Sequence, residues 1–563
     1  MTNSPLAAPN RPDELAFLAL GGVGEIGMNL SLYGYGGRWL MIDCGITFAD
    51  DTMPGVEILM PDPTFIAERK DELLGLVATH AHEDHIGAIA YLWPRLECPI
   101  YATRFTAALL RKKLDEAGLV EVPITEVPMS GKFTLGEFEI ELVTLTHSIP
   151  EPNAVILRTP LGTVLHTGDW KFDPDPLIGP GADYARLERL GTEGVLAMIC
   201  DSTNAMRPGE AGSEGEVRRS LIDLVGTCRQ RVVVACFASN VARLESAALA
   251  ATENDRHVAL VGRSLWRIAE AARESGYLKG VPDFLTEDEA GFLPRDKVLL
   301  VCTGSQGEAR SALVRIAANE HAHIGLERGD TAIFSSRVIP GNERAIGRLQ
   351  NALVGLGVEI ITDHDHFVHV SGHPAQDELL RMYKAVRPRI AVPVHGEARH
   401  LQAQARLAEG CHVAQAIVTR NGEVVKLAPG PAAVIGEVPT GRLIADGKQL
   451  LDAGGEVFKS RQRVIFNGAA LVTIVLDGTG LVMPPQVTVP GLAAEEPELT
   501  LELSGAVAEA IDALAARERR DDDAVREAAR IALRRAVRAR FGKRPITEVH
   551  LVRLNGAGTG RSA

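Results

Sequence analysis

Four residues able to bind divalent metal fall within one short stretch: His80, His82, Asp84 and His85. Residues 76–78, Leu-Val-Ala, read as the end of a strand. Side chains two apart on extended chain share a face, so His80 and His82 present both imidazoles to one point, while Asp84 and His85 face a neighbouring one. Imidazole and carboxylate without thiolate form the ligand set of catalytic zinc or manganese, because such centres keep a position open for water. The spacing therefore predicts two adjacent metals that activate water, in preference to a loop of hydrogen-bonded histidines. Residues 86–92 have the apolar density of a buried helix, expected to hold the ligand loop from behind.

More ligands follow at strand ends. His147 comes just after an apolar run, Asp169 just after another, and His395 after the run at 390–393. Asp169 is the natural bridge, since one carboxylate can offer an oxygen to each of two cations about 3.5–4 Å apart. His166 points the other way in strand alternation and reads as packed or supporting structure. Residues 363–373 carry histidines at 364, 366, 369 and 373 that need not converge. Gly372 there permits a tight turn whose amides can cradle a phosphate, with Ser371 and Ser336 adding hydroxyl donors. Gly22, Gly24 and Gly27 match a dinucleotide-binding fingerprint, but that pattern has meaning only where it opens a helix, and residues 28–35 continue as alternating strand.

The elements that position these groups read as layered α/β. Strands are expected at 15–20, 39–42, 138–145, 154–158, 163–167 and 195–200, with a helix at 105–117. Beyond a Pro/Gly/Glu/Ser crossover at 208–215, residues 217–303 alternate helix and strand as in a parallel-sheet unit. The first domain resumes near 369, so the middle unit is an insertion. A linker, a strand run at 461–476, an arginine-dense helix at 509–541 and a strand at 547–554 close the chain. Such an arginine face is expected to be solvated or to contact another copy in preference to reading nucleic acid specifically, with contact to RNA left open. The 563 residues suffice for two to four domains. Seven scattered cysteines in largely apolar settings read as reduced core residues. The first thirteen residues hold no apolar signal core and no later run spans a bilayer, so a cytoplasmic, non-membrane protein is expected. A net charge of −14 disfavours indiscriminate polyanion binding and leaves the substrate open.

The ordered motifs bring a resemblance. They are Gly-Gly-Val-Gly-Glu-Ile-Gly-Met-Asn at 21–29, His-Ala-His-Glu-Asp-His at 80–85, Thr-His-Ser-Ile-Pro-Glu at 146–151 and Thr-Gly-Asp-Trp-Lys at 167–171. Asp-Ser-Thr-Asn at 201–204, Phe-Ala-Ser-Asn at 237–240, Cys-Thr-Gly-Ser-Gln-Gly-Glu at 302–308, His-Val-Ser-Gly-His at 369–373 and Pro-Val-His-Gly-Glu at 393–397 follow. Over nearly its whole length the chain resembles the ribonuclease J family, bacterial metallo-β-lactamase-superfamily nucleases with a β-CASP insertion. The resemblance implies an αββα metallo-β-lactamase sandwich at 1–210 and 369–450, split by a β-CASP α/β domain at 211–368. A linker at 451–470 and a small C-terminal α/β domain at 471–563, used in oligomer formation, complete the implied layout.

The resemblance also implies roles. One zinc goes to His80, His82, His147 and Asp169, the other to Asp84, His85, Asp169 and His395, with Asp43 orienting a ligand histidine; manganese or magnesium can serve in assays. Asp201 is the implied proton donor and His373 the acceptor. Ser336, His369, Val370 and Ser371, with Gly372 and His373 beside them, make the implied pocket for a terminal 5′ phosphate. Arg337 departs from the uncharged residue common in relatives. The implied activity is 5′ to 3′ exonuclease action on 5′-monophosphorylated single-stranded RNA, plus endonuclease cutting, in RNA maturation and decay. A homodimer or homotetramer and RNA-decay partner proteins are implied with it. A thioester or lactone hydrolase would share the first metal motifs but lack the insertion and His373. A DNA-processing nuclease with the same insertion would cut DNA as fast as RNA of equal sequence. An inactive RNA-binding scaffold is disfavoured, since every expected ligand is intact.

Overall fold

A computed structural model describes residues 11–49, 53–339, 341–494 and 496–554. The expectation drawn from the N-terminus rests mostly on residues 1–10, which lie outside the described residues. The chain forms two compact units, residues 1–49 with 57–442, and residues 50–56 with 443–563.

The first unit begins with antiparallel strands β1 (Leu15–Gly21), β2 (Leu30–Tyr35) and β3 (Arg38–Ile42), joined in parallel by β4 (Leu73–Val77). Two short helices follow, α1 (Glu83–Ile86) and α2 (Ile89–Leu96), where the sequence predicts one. The break falls at Gly87, where a Cβ would collide with the Glu83 carbonyl. After α3 (Arg104–Glu116), a second sheet is built from β5 (Phe138–Thr144), β6 (Asn153–Thr159), β7 (Gly162–His166) and β8 (Ala197–Asp201). Strand alternation gives each sheet an inward apolar face. Phe17, Tyr33 and Leu40 of the first sheet share a core with Ile140, Val155 and Leu157 of the second. Helices at Tyr184–Glu193, Gln376–Val386 and Ala398–Gly410 cover the second sheet's other face, with Leu187, Leu379 and Met382 buried against Met198.

Beyond β8 the chain leaves to build a five-stranded, wholly parallel sheet. After α4 (Glu214–Thr227) come β9 (Val232–Ala235), α5 (Val241–Glu253), β10 (His257–Val261), β11 (Val298–Cys302), β12 (Thr331–Phe334) and β13 (Glu359–Ile361), in spatial order β10-β11-β9-β12-β13. Buried on both faces, its strands are continuous apolar runs such as Val-Val-Val-Ala. The chain then returns as β14 (Ile390–Val394), parallel to β8 with Asp201 opposite Val394. That register sets His395 beside Asp201 despite the long insertion between them. The architecture is a two-sheet sandwich carrying an inserted α/β domain, the layout that the resemblance implies.

The second unit contains α6 (Glu456–Asn467), β15 (Ala469–Leu476), β16 (Gln486–Thr488), α7 (Pro497–Asp512), α8 (Asp522–Phe541) and β17 (Ile546–Arg553). Strand β15 lies between antiparallel β16 and parallel β17. Val472, Ile474 and Leu476 pack under Leu503, Val507, Val525 and Leu533 of the two longer helices. Two expectations are corrected. Residues 461–467 finish a helix that stops at Gly468, φ 71°, and only then does a strand begin. The single helix expected at 509–541 is two, because Asp521 caps a new helix by accepting from the Asp523 amide.

Candidate metal centre

The candidate ligands meet at strand ends of both sheets. His80 and His82 follow β4, and α1 carries Asp84 and His85 in its first turn. His147, Asp169 and His395 follow β5, β7 and β14. Gly45 lets α1 come close, since a Cβ there would collide with the Asp84 carbonyl. Asp43 and His395 both hold positive φ, 61° and 50°, a conformation that surrounding contacts must enforce on non-glycine residues.

Two groups of ligand atoms share Asp169. In the first, His82 Nδ1 lies 3.1 Å from His80 Nε2 and 3.0 Å from His147 Nε2. Asp169 Oδ2 is 4.0 Å from each of His80 and His147. In the second, Asp169 Oδ2 is 3.1 Å from His85 Nε2 and 3.5 Å from His395 Nε2, and Asp84 Oδ2 is 3.6 Å from both rings.

The residues fit two metal ions. Tetrahedral zinc with nitrogen ligands at 2.0–2.1 Å sets its ligand atoms about 3.3 Å apart, close to the spacing of the first group. Asp169 Oδ1 and His395 Nε2 are buried without a hydrogen-bond partner, an expensive state that a cation relieves. Burial, reinforced by neighbouring imidazoles, pushes His80 and His147 well below the ordinary histidine range, and burial takes His82 to about 4. Neutral rings with lone pairs converging on one point suit the coordination of a metal ion. Burial opposes charge on His85 too, but Asp169, Asp84 and Asp43 hold it well above the ordinary range. Three carboxylates thus surround a point that favours positive charge.

The far side of each ring is tied down, which fixes its tautomer. His85 Nδ1 donates to Asp43 Oδ2 at 2.7 Å, and His395 Nδ1 to Asn29 Oδ1 at 2.9 Å. His147 Nδ1 donates to the Gly372 carbonyl at 2.5 Å. His80 Nδ1 donates to Thr79 Oγ1 at 3.0 Å, and that hydroxyl donates to Asp43 Oδ2 at 2.9 Å. Asp43 therefore orients a ligand in each group. Beside them Asp201, buried, accepts from Thr203 through Oδ1 and meets His373 Nδ1 through Oδ2 at 2.8 Å. His373 Nδ1 is also 3.7 Å from Asp169 Oδ2.

Family profiles cover this architecture in chain order. Residues 24–225 match the metallo-β-lactamase superfamily, and 229–353 match the ribonuclease J β-CASP domain. Residues 342–417 match the Zn-dependent metallo-hydrolase RNA specificity domain, and 456–554 the ribonuclease J C-terminal domain. The chain is 45% identical over 551 residues to a ribonuclease J of Sinorhizobium meliloti, covering 96% of this chain and 98% of the relative. The chain belongs to the ribonuclease J family. Another ribonuclease J, from Mycolicibacterium smegmatis, is 41% identical over 95% of each chain, and one from Thermus thermophilus is 38% identical over 82% of each. A crystal structure of a protein of unknown function from Enterococcus faecalis shares the fold at TM-score 0.52 and 16% identity, over 73% of this chain and all of that one. Family membership and the metal-binding constellation make the chain a metal-dependent nuclease.

Three supports of the candidate ligand rings lie outside the sequence-based expectations. Asn29, Thr79 and the Gly372 carbonyl each hold a ligand ring. Gly372 must also be glycine for a packing reason, because a Cβ would sit 2.5 Å from His147 Cε1. His166 is packed as expected, accepting from the Tyr33 hydroxyl at 2.9 Å, with burial holding it near 4. The dinucleotide fingerprint leads into β2 and opens no helix. His364 and His366 are exposed and do not join the cluster. In the implied phosphate pocket, Ser371 Oγ accepts from Asn204 Nδ2 at 2.8 Å and from the His373 amide at 3.2 Å, and Gln306 reaches Ser336 Oγ at 3.4 Å. His369 Nδ1 is buried and unpartnered. Burial, then the charges of Arg243, Lys171, Arg337 and Arg207, hold that ring well below the ordinary range.

Since Asp43 holds both groups, Asp43→Asn is expected to weaken metal binding by about 10–100-fold, with cleavage recovered at raised metal concentration. Titration with zinc against a competing chelator measures this; unchanged affinity would remove Asp43 from the centre.

Proposed function

We propose that this chain hydrolyses phosphodiester bonds of single-stranded RNA, removing nucleotides from 5′-monophosphorylated ends and also cutting internally, in RNA maturation and decay. Two zinc ions are held, one by His80, His82, His147 and Asp169, the other by Asp84, His85, Asp169 and His395. The active form is a homodimer or homotetramer.

When bound, the two ions supply Lewis acidity, lowering the pKa of bound water and offsetting charge that builds on phosphoryl oxygens. The chain's own residues do the rest. Asp201 delivers a proton to the leaving 3′ oxygen, and His373 accepts one from the attacking water. The 2.8 Å contact between them lets one proton be shared, and the Thr203 bonds keep Asp201 from turning away.

The observation that carries the end preference is that residues 369–373 belong to both parts of the site. His373 faces Asp201 and Asp169, while two residues earlier Ser371 Oγ accepts from its amide. Close by, four cations bear on the unpartnered His369. A terminal phosphate bound there sits a short step from the reacting centre, so each cut releases one nucleotide and reseats the strand. Arg337 adds positive charge to that pocket.

The test is RNA labelled at its 5′ end, with monophosphate or triphosphate termini, and DNA of equal sequence. Labelled mononucleotide, released faster from monophosphate and stopped by chelator, is expected. Internal fragments alone would refute the exonuclease reading, and DNA cut as fast as RNA would favour a DNA-processing enzyme. Ser371→Trp should slow end-dependent cleavage by about tenfold or more beyond any loss of internal cutting, the value of charge-assisted phosphate contacts. Equal loss in both would refute the pocket.

A further inference from the structure

We infer that the arginine-lined groove on α8 of the second unit binds the phosphodiester backbone of single-stranded RNA. The inference rests on the proposed action on RNA. The groove encloses about 310 Å³ and is lined by Arg530, Ile531, Arg534, Arg535, Arg538 and Arg544. Only Arg530 has an acidic partner, Glu527 at 2.6 Å; among the described residues the other four have none, and all four are exposed. Like charges gathered around one hollow repel unless an anion lies between them, and this concentration runs against a chain of net charge −14.

The fold fixes this face outward. Val525, Ala529, Leu533 and Val537 bury the opposite side of α8 against the sheet. Arg530, Arg534 and Arg538 then recur every four residues, roughly 6 Å per step along the helix, a spacing suited to successive phosphates of an extended strand. Guanidinium groups pair with phosphate bidentately and stack on bases, and half-exposed Ile531 offers an apolar surface among them. The helix dipole accounts for cations in the last turn, Arg538 and Arg540, but not for Arg530, Arg534, Arg535 or for Arg544 beyond the cap. A contact with another copy, one of the two roles expected for this arginine face, would centre on an apolar core, and the groove contains one apolar residue.

The test compares the full-length wild type with R534Q/R535Q/R538Q on two 5′-monophosphorylated oligouridylates, one short enough to fill only the metal centre and one several times longer. The long strand should bind at least about tenfold more weakly to the variant, and the slope of log affinity against log salt should flatten by roughly 2, three lost phosphate contacts at about 0.7 each. Turnover of the short strand should not change. The lysine version of the three substitutions should keep most of the salt slope, showing that charge and not folding is at issue. Unchanged affinity and slope on the long strand would overturn the inference, as would a fall in sedimentation coefficient with RNA binding intact, which would make the groove a contact between copies. A wild type that cuts and binds neither strand would refute the RNA reading itself, and the groove assignment with it.

Discussion

Asp169→Asn is expected to lower cleavage by roughly a thousandfold or more and to cut the metal content at both positions. Asp169 is the one side chain common to the two ligand groups, with Oδ2 within 3.1–4.0 Å of five imidazoles, four of them in those groups and the fifth that of His373. An amide keeps the shape but removes the negative charge that offsets two dications. Metal centres supply several kcal/mol of transition-state stabilisation, which converts to at least that loss of rate. His80→Ala gives the contrasting pattern. It removes one ligand from the first group only, so content should fall towards one ion per chain while cleavage is still lost. Elemental analysis beside single-turnover cleavage separates the two. An Asp169→Asn protein with full metal and full turnover would remove the bridge from the account.

His373→Gln should leave metal content unchanged and lower kcat by about 10²–10⁴-fold, the usual contribution of a positioned acid or base. The outcome is informative because geometry allows another role: Asp169, Asp201, His373 and His395 also form a group able to hold a cation. If His373 were a ligand, its replacement would release metal and extra metal would restore rate. If it moves protons, no amount of metal will. Asp201→Asn should parallel it, since each is the other's partner at 2.8 Å, and the double variant should cost little more than either alone. Additive losses would mean that they act separately.

Much of this centre was legible because its densest part is local. His80, His82, Asp84 and His85 announce themselves by type and spacing, whatever the remainder of the chain does. Asp169, His147 and His395 were readable as polar residues at the ends of apolar strands. What brings them together was not readable from spacing: the register that sets β14 beside β8 closes over an entire inserted domain. Asn29 was invisible for the same reason, being an ordinary amide until His395 arrives from 366 residues away. Thr79 was hidden differently, since its hydroxyl matters only through the relay from His80 to Asp43. In the second unit, misreadings came from local competition. Val464, Ile465 and Phe466 look like strand but complete a helix ending at Gly468, and the three aspartates at 521–523 were a helix start concealed inside an arginine-rich run.

The measurement that bears most directly on the two-metal account is elemental analysis of the purified full-length chain, before and after chelation, with cleavage of 5′-labelled RNA followed on the same samples. Two-metal catalysis predicts two divalent ions per chain, loss of cleavage in step with their removal, and recovery of both on adding zinc back. Fewer than one ion per chain in a fully active sample, or cleavage that survives complete removal of metal, would contradict it.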